Sequence, residues 1–165
     1  MKKVREIVNS IGSSKIQKVG VFVNERQDVV NKAIRFCGLD MVQFHGNERE
    51  EYCRMFDTDI IKAFRIKENS KNIFGEIKGY KTSYVMLDTD SENFGGAGKR
   101  FDWSIAKPVI KRKKTFLAGG INERNIEEAT ALGPYAVDVC SGAELFPGKK
   151  DLRKMRAIIE KVRKI

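Results

Sequence analysis

TFLAGGINERNIEEATALGPYAVDVCSGAELFPGK, residues 115–149, carries one device twice. An apolar run ends in small residues: Phe116-Leu117-Ala118 leads into Gly119-Gly120, and Ala136-Val137-Asp138-Val139 leads through Cys140 into Ser141-Gly142. Each copy reads as a strand feeding an anion cup that opens at once into a helix or turn. Glycine lets backbone N–H groups approach a ligand, and the first turn of a following helix adds unpaired donors and the positive end of its dipole. One such cup alone reads as a tight turn. The repetition gives the pair weight, because consecutive parallel strands put both loops on the same carboxyl edge, where together they suit one phosphate.

Outward from this stretch, strand and helix alternate through the chain. Residues 1–11 place Val4, Ile7, Val8 and Ile11 at helical spacing, so the sequence begins on a helix. Residues 18–24, KVGVFVN, read as a strand with a buried, β-branched middle. A helix at 25–36 ended by Gly38, a strand at 39–45 turned by Gly46, and a short capped helix at 47–56 follow. Strands at 60–66, 83–87, 115–118 and 136–139 then alternate with helices at 70–77, 102–110, 123–132 and 151–162. Near-continuous apolar strands between amphipathic helices indicate a parallel sheet covered by helices, an α/β fold. About six βα units behind a leading helix fit an incomplete TIM (βα)8 barrel, a fold whose last two loops form a phosphate site. An open flavodoxin-like sheet satisfies the same alternation.

Composition sets the class. A single domain spanning 1–165 is expected, with 41% hydrophobic and 33% charged residues. No run of about 18 apolar residues and no basic-then-apolar leader occurs, so no membrane span or signal peptide is expected and a cytoplasmic protein is the default. The cysteines Cys37, Cys53 and Cys140 are odd in number and lack metal-ligand spacing, which argues against a disulfide framework or a zinc site. The net charge of +10 favours anionic ligands. Aromatic and basic residues do not interleave as a nucleic-acid platform requires, so a small anionic substrate is expected rather than nucleic acid.

In parallel βα folds the carboxyl ends of the strands carry the site. The polar residues there are Asn24, Gln43, His45, Arg65, Asp88, Asp138 and Ser141. Asp88, directly after Tyr84-Val85-Met86-Leu87, reads either as a general acid facing a semi-enclosed apolar cavity or as the cap of a turn. His45, the single histidine, reads first as a strand-end hydrogen bonder. Asp138 either meets a ligand or pairs in the core, and Cys140 reads first as a small buried apolar residue and second as a nucleophile. Residues 93–100, NFGGAGKR, form a Gly-rich loop that lacks the GxxxxGK[ST] pattern of a nucleotide P-loop.

Read together, VGVFVN at 19–24, VQFHG at 42–46, IKAFR at 61–65, LDT with GGAGKRFDW across 87–103, LAGGIN at 117–122 and VDVCSGAE with FPGKKD across 137–151 resemble phosphoribosylanthranilate isomerase of tryptophan biosynthesis. The resemblance implies a (βα)8 barrel that opens the ribose of N-(5′-phosphoribosyl)anthranilate by an Amadori rearrangement, without metal or organic cofactor. A general acid protonates the furanose ring oxygen, a Schiff base forms, and a base removes the C2′ proton. Position by position, Asp88 matches the general acid, while Gly119, Gly120, Ser141 and Gly142 match the phosphate loops. Asp138 matches a last-strand aspartate near substrate, and Gln43 and His45 match the strand-four signature.

The family's K-x-C-G-x-T motif, whose cysteine is the base, does not occur in this sequence. The leading helix resembles the family's second helix. Without that base the proton step is expected to lose roughly 10²- to 10⁴-fold. Open strand edges are expected to lead to self-association or to complementation by a separate segment. The competing reading is a non-catalytic sugar-phosphate-binding remnant of the same fold.

Overall fold

The Val- and Ile-rich runs form parallel strands, and the segments with three-and-four apolar spacing form helices between them. The structure, a computed structural model, describes residues 1–12, 15–67, 70, 72–90 and 100–164. The Gly-rich loop expected at 93–100 lies outside the described residues except for Arg100. Contacts divide the chain into two compact units, Met1–Ala63 with Gly79–Tyr84, and Phe64–Lys78 with Val85–Ile165.

The first unit opens with α1 (Lys2–Ile11), β1 (Val19–Phe22), α2 (Gln27–Cys37), β2 (Met41–Phe44) and α3 (Glu50–Cys53), and holds most of β3 (Asp59–Ile66). Val30, Ala33 and Cys37 fall on the buried face of α2. Gly38, at φ 63° and ψ 49°, closes this helix in the left-handed conformation, with its N–H donating to the Ile34 carbonyl. β2 pairs in parallel with β1 through Val19–Met41 and with β3 through Met41–Asp59. Its four residues are all buried. Phe44, Tyr52 and Phe56 pack ring against ring at centroid distances of 5.1–5.2 Å, and with Val30, Val42, Cys53 and Ile60 they form this unit's core. Burial outweighs the pull of the nearby Lys62 ammonium and pushes the Cys53 thiol up to about 11.

The buried middle expected for residues 18–24 is not found. Val19, Val21 and Val23 are 39%, 59% and 42% exposed. Among the described residues β1 pairs only with β2, and its valines stay largely exposed although the sequence has the apolar character of a core strand.

The second unit holds the end of β3, then α4 (Ile73–Ile77), β4 (Tyr84–Thr89), α5 (Lys107–Ile110), β5 (Thr115–Leu117), α6 (Ile126–Ala131), β6 (Ala136–Val137), the hairpin β7 (Glu144–Phe146) with β8 (Lys149–Lys150), and α7 (Leu152–Arg163). β5 pairs in parallel with β4 through Val85–Thr115 and with β6 through Phe116–Ala136. Leu87, Trp103, Val109, Leu117, Ile121, Ile126 and Ile158 lead the core.

Three details depart from the sequence reading. The helix expected at 102–110 is a 3₁₀ turn, Trp103–Ala106, running into α5, because Pro108 in the first turn has no N–H to continue an α ladder. Gly119-Gly120 does not open at once into a helix, since α6 begins at Ile126. Ser141-Gly142 leads through a turn into an antiparallel hairpin whose bend, Pro147-Gly148, uses a positive φ of 83°.

Candidate active site

The carboxyl edge of β4, β5 and β6 collects most of the residues singled out from sequence. Asp88, the penultimate residue of β4, is half-buried, with its Oδ1 accepting from the Thr89 N–H at 2.7 Å. The ladder places the next strands beside it: Ala118 N–H donates to the Leu87 carbonyl at 2.8 Å, and Asp138 N–H to the Leu117 carbonyl at 2.8 Å. Gly119 follows at φ 89°, so close to Thr89 that a side-chain carbon on it would collide with the Thr89 hydroxyl. A residue with a Cβ is excluded there both by its backbone angle and by this approach.

The two loops meet directly. Asn122 and Gly142 form a parallel bridge, and any Cβ on Gly142 would strike the Ile121 carbonyl and the Asn122 backbone. Gly119, Gly120, Ser141 and Gly142 thus belong to one edge, as the repeated device required. The N–H groups of Gly119, Gly120 and Ser141 have no hydrogen-bond partner among the described residues. Asn122 and Asn125 both donate from their side-chain amides to the Gly120 carbonyl at 3.0 Å, while Asn125 Oδ1 accepts from Asn122 N–H at 2.8 Å. An open cleft of about 350 Å³ beside the bridge is lined by Asn122, Glu123, Arg124, Ser141, Gly142 and Lys154. Lys154 Nζ is anchored to the Glu144 carbonyl at 2.7 Å.

Two expectations for this edge change. Asp138 is exposed just beyond the two-residue β6 rather than set within the core. Cys140 is exposed rather than buried, with its Sγ 3.8 Å from Lys150 Nζ. That ammonium also donates to Glu144 Oε1 at 3.0 Å. Burial draws the Lys150 pKa down, but the bond to Glu144 and the neighbouring Cys140 outweigh it and hold the group above its ordinary value. Sequence reading missed Asn122 and Asn125, although paired asparagines three apart after Gly-Gly are an Asx-turn signal.

Gln43 and His45 lie in the first unit, both buried at the end of β2. Gln43 Nε2 and His45 Nδ1 lie within hydrogen-bond distance at 2.8 Å. Asn24, at a positive φ of 50°, ends the β1 segment and accepts from Asn47 N–H at 2.7 Å. Arg65 sits half-buried on β3, in the portion that belongs to the second unit.

The sequence pattern of the N-(5′-phosphoribosyl)anthranilate (PRA) isomerase family matches residues 2–161. The chain belongs to that family. Among curated relatives, the PRA isomerase of Citrifermentans bemidjiense is 42% identical over 152 residues, covering 91% of this chain and 73% of the relative. Among solved structures, the PRA isomerase of Thermotoga maritima superposes with a TM-score of 0.89 at 33% identity, covering 99% of this chain and 80% of that one. A further PRA isomerase structure, solved with reduced 1-(o-carboxyphenylamino)-1-deoxyribulose 5-phosphate, gives 0.83 at 31% identity, covering 99% and 79%. The fold class is accordingly the α/β fold of the TIM-barrel PRA isomerases, not the open flavodoxin-like sheet. The chain is an enzyme of this family, an isomerase of tryptophan biosynthesis. Among the described residues no helix is long and apolar enough to cross a membrane.

Proposed function

We propose that Asp88 is the general acid of the PRA isomerase reaction and that the Gly119-Gly120 and Ser141-Gly142 loops bind the substrate phosphate. The Asn122–Gly142 bridge carries this reading, because it joins two loops whose backbone donors then converge on one anion. Asp88, at the end of the neighbouring strand, delivers a proton to the furanose ring oxygen. The C1′–O4′ bond breaks as the anthranilate nitrogen on C1′ donates its lone pair, leaving the open-chain Schiff base with a C4′ hydroxyl. Asp138, exposed at the same edge, contacts the substrate, and the family resemblance assigns Gln43 and His45 to the substrate as well.

The partner is a small phosphorylated molecule, in keeping with the ligand named in the related complex, and the reaction runs in the cytoplasm with neither metal nor organic cofactor. Nucleic acid is not a partner. The valine face and open edge of β1 support self-association or complementation by a further strand, and a related Thermotoga maritima structure is described as monomers generated from a dimeric enzyme. The deciding experiment follows loss of phosphoribosylanthranilate fluorescence. Asp88→Asn is expected to lower kcat roughly 10²- to 10⁴-fold with little change in KM. Wild-type kcat in that variant refutes the assignment.

A further inference from the structure

The first unit buries an ion pair that the isomerase chemistry does not use. Lys62 on β3 and Glu48, beyond the end of β2, have side chains only 3% exposed and meet at 3.2 Å. Withdrawing two charges from water is costly unless their remaining donors and acceptors are satisfied. Here they are satisfied mostly by main chain at the strand ends. Lys62 Nζ donates to the carbonyls of Phe44 at 3.3 Å, Gly46 at 2.8 Å and Ala63 at 2.9 Å. Glu48 Oε2 accepts from Gly46 N–H at 2.9 Å, and Oε1 from Asn24 N–H at 2.6 Å.

Phe44 and Gly46 are the residues on either side of His45, so one ammonium holds both flanking carbonyls while Glu48 holds the following N–H. Gln43 fixes the ring itself. A pair that only filled core space would not concentrate its bonds on the backbone around one histidine. We infer that Glu48 and Lys62 are positioning residues, which set the backbone that presents His45 to the substrate. The inference rests on the assignment of His45 to the substrate site.

The test compares Glu48→Gln, Lys62→Met and the double variant by thermal unfolding and steady-state kinetics, each with His45 or with His45→Asn. Each single variant leaves one buried charge unpaired and is expected to lose both stability and activity, whereas the double variant has no buried charge and regains stability. Positioning predicts that the double variant, at near wild-type Tm, still has kcat/KM at least tenfold below wild type. It also predicts that this loss disappears in the His45→Asn background, the signature of residues acting through one another. Wild-type kcat/KM in the stable double variant, or losses that multiply with His45→Asn, overturns the inference. Wild-type kinetics for His45→Asn alone overturns the assignment of His45 instead. Should the double variant not fold, Glu48→Asp keeps the charge, shortens the reach and serves the same cycle.

Discussion

Gly142→Ala separates loop geometry from general stability at the point where the two phosphate-side loops touch. The added carbon would lie 2.8 Å from Asn122 Cβ and 2.9 Å from Asn122 Cα, and would run into the Ile121 carbonyl. Carbon contacts are comfortable at about 3.5–4.0 Å, so the loops must part by about an ångström. Two of the three obstacles belong to Asn122, held in the bridge with Gly142, and the third is the Ile121 main-chain carbonyl, which leaves no flexible side-chain end to give way. Overpacking of this kind costs about 1–3 kcal/mol. For a domain of this size that corresponds to a fall of about 2–12 °C in Tm. An ångström of displacement in a binding loop lowers kcat/KM by about 10²-fold, here expected chiefly through KM. The control is Gly133→Ala: its φ is +75°, but no described atom lies within 4 Å of the added carbon. It pays only backbone strain of about 1–2 kcal/mol and is expected to keep wild-type KM. Fluorescence-detected turnover and thermal melts on both variants give the answer. Gly142→Ala with KM within twofold of wild type, or Gly133→Ala with an equal rise in KM, refutes the assignment of the loops to phosphate.

Two further outcomes are expected. Burial holds the Cys53 thiol up at about 11 in the folded chain against its ordinary 9.0, so the folded state keeps its proton more tightly. The resulting stability is present in full below pH 9.0 and is lost as pH rises towards 11; chemical denaturation across that window should show a decline that Cys53→Ala flattens. Val21→Lys places a charge on the exposed valine face of β1 and is expected to shift sedimentation towards monomer with the Tm nearly unchanged, while an unaltered distribution excludes β1 as the contact.

Much of the fold was legible because the sequence repeats one signal. Runs such as Met41-Val42-Gln43-Phe44 and Val85-Met86-Leu87 are buried on both faces, as parallel strands covered by helices must be, and the glycines at 119 and 142 mark the loops that approach closely. Periodicity could not reveal which faces find partners. Val19, Val21 and Val23 read as core and are exposed, since burial depends on what lies opposite. Pro147-Gly148 did carry a turn signal, but the short strands flanking it hold two lysines and too few apolar residues to announce a hairpin. The Glu48–Lys62 pair was out of reach altogether. Nothing in a spacing of fourteen residues says that two strand ends will bring them to 3.2 Å.

The Gly120 carbonyl, gripped by both Asn122 and Asn125, has an evolutionary consequence. A carbonyl oxygen turned towards a phosphate would repel it, and either amide alone keeps that oxygen engaged. Substitutions at the two asparagines are therefore expected to be masked singly and exposed together, a local redundancy that lets one position drift while the other preserves the electrostatics of the loop.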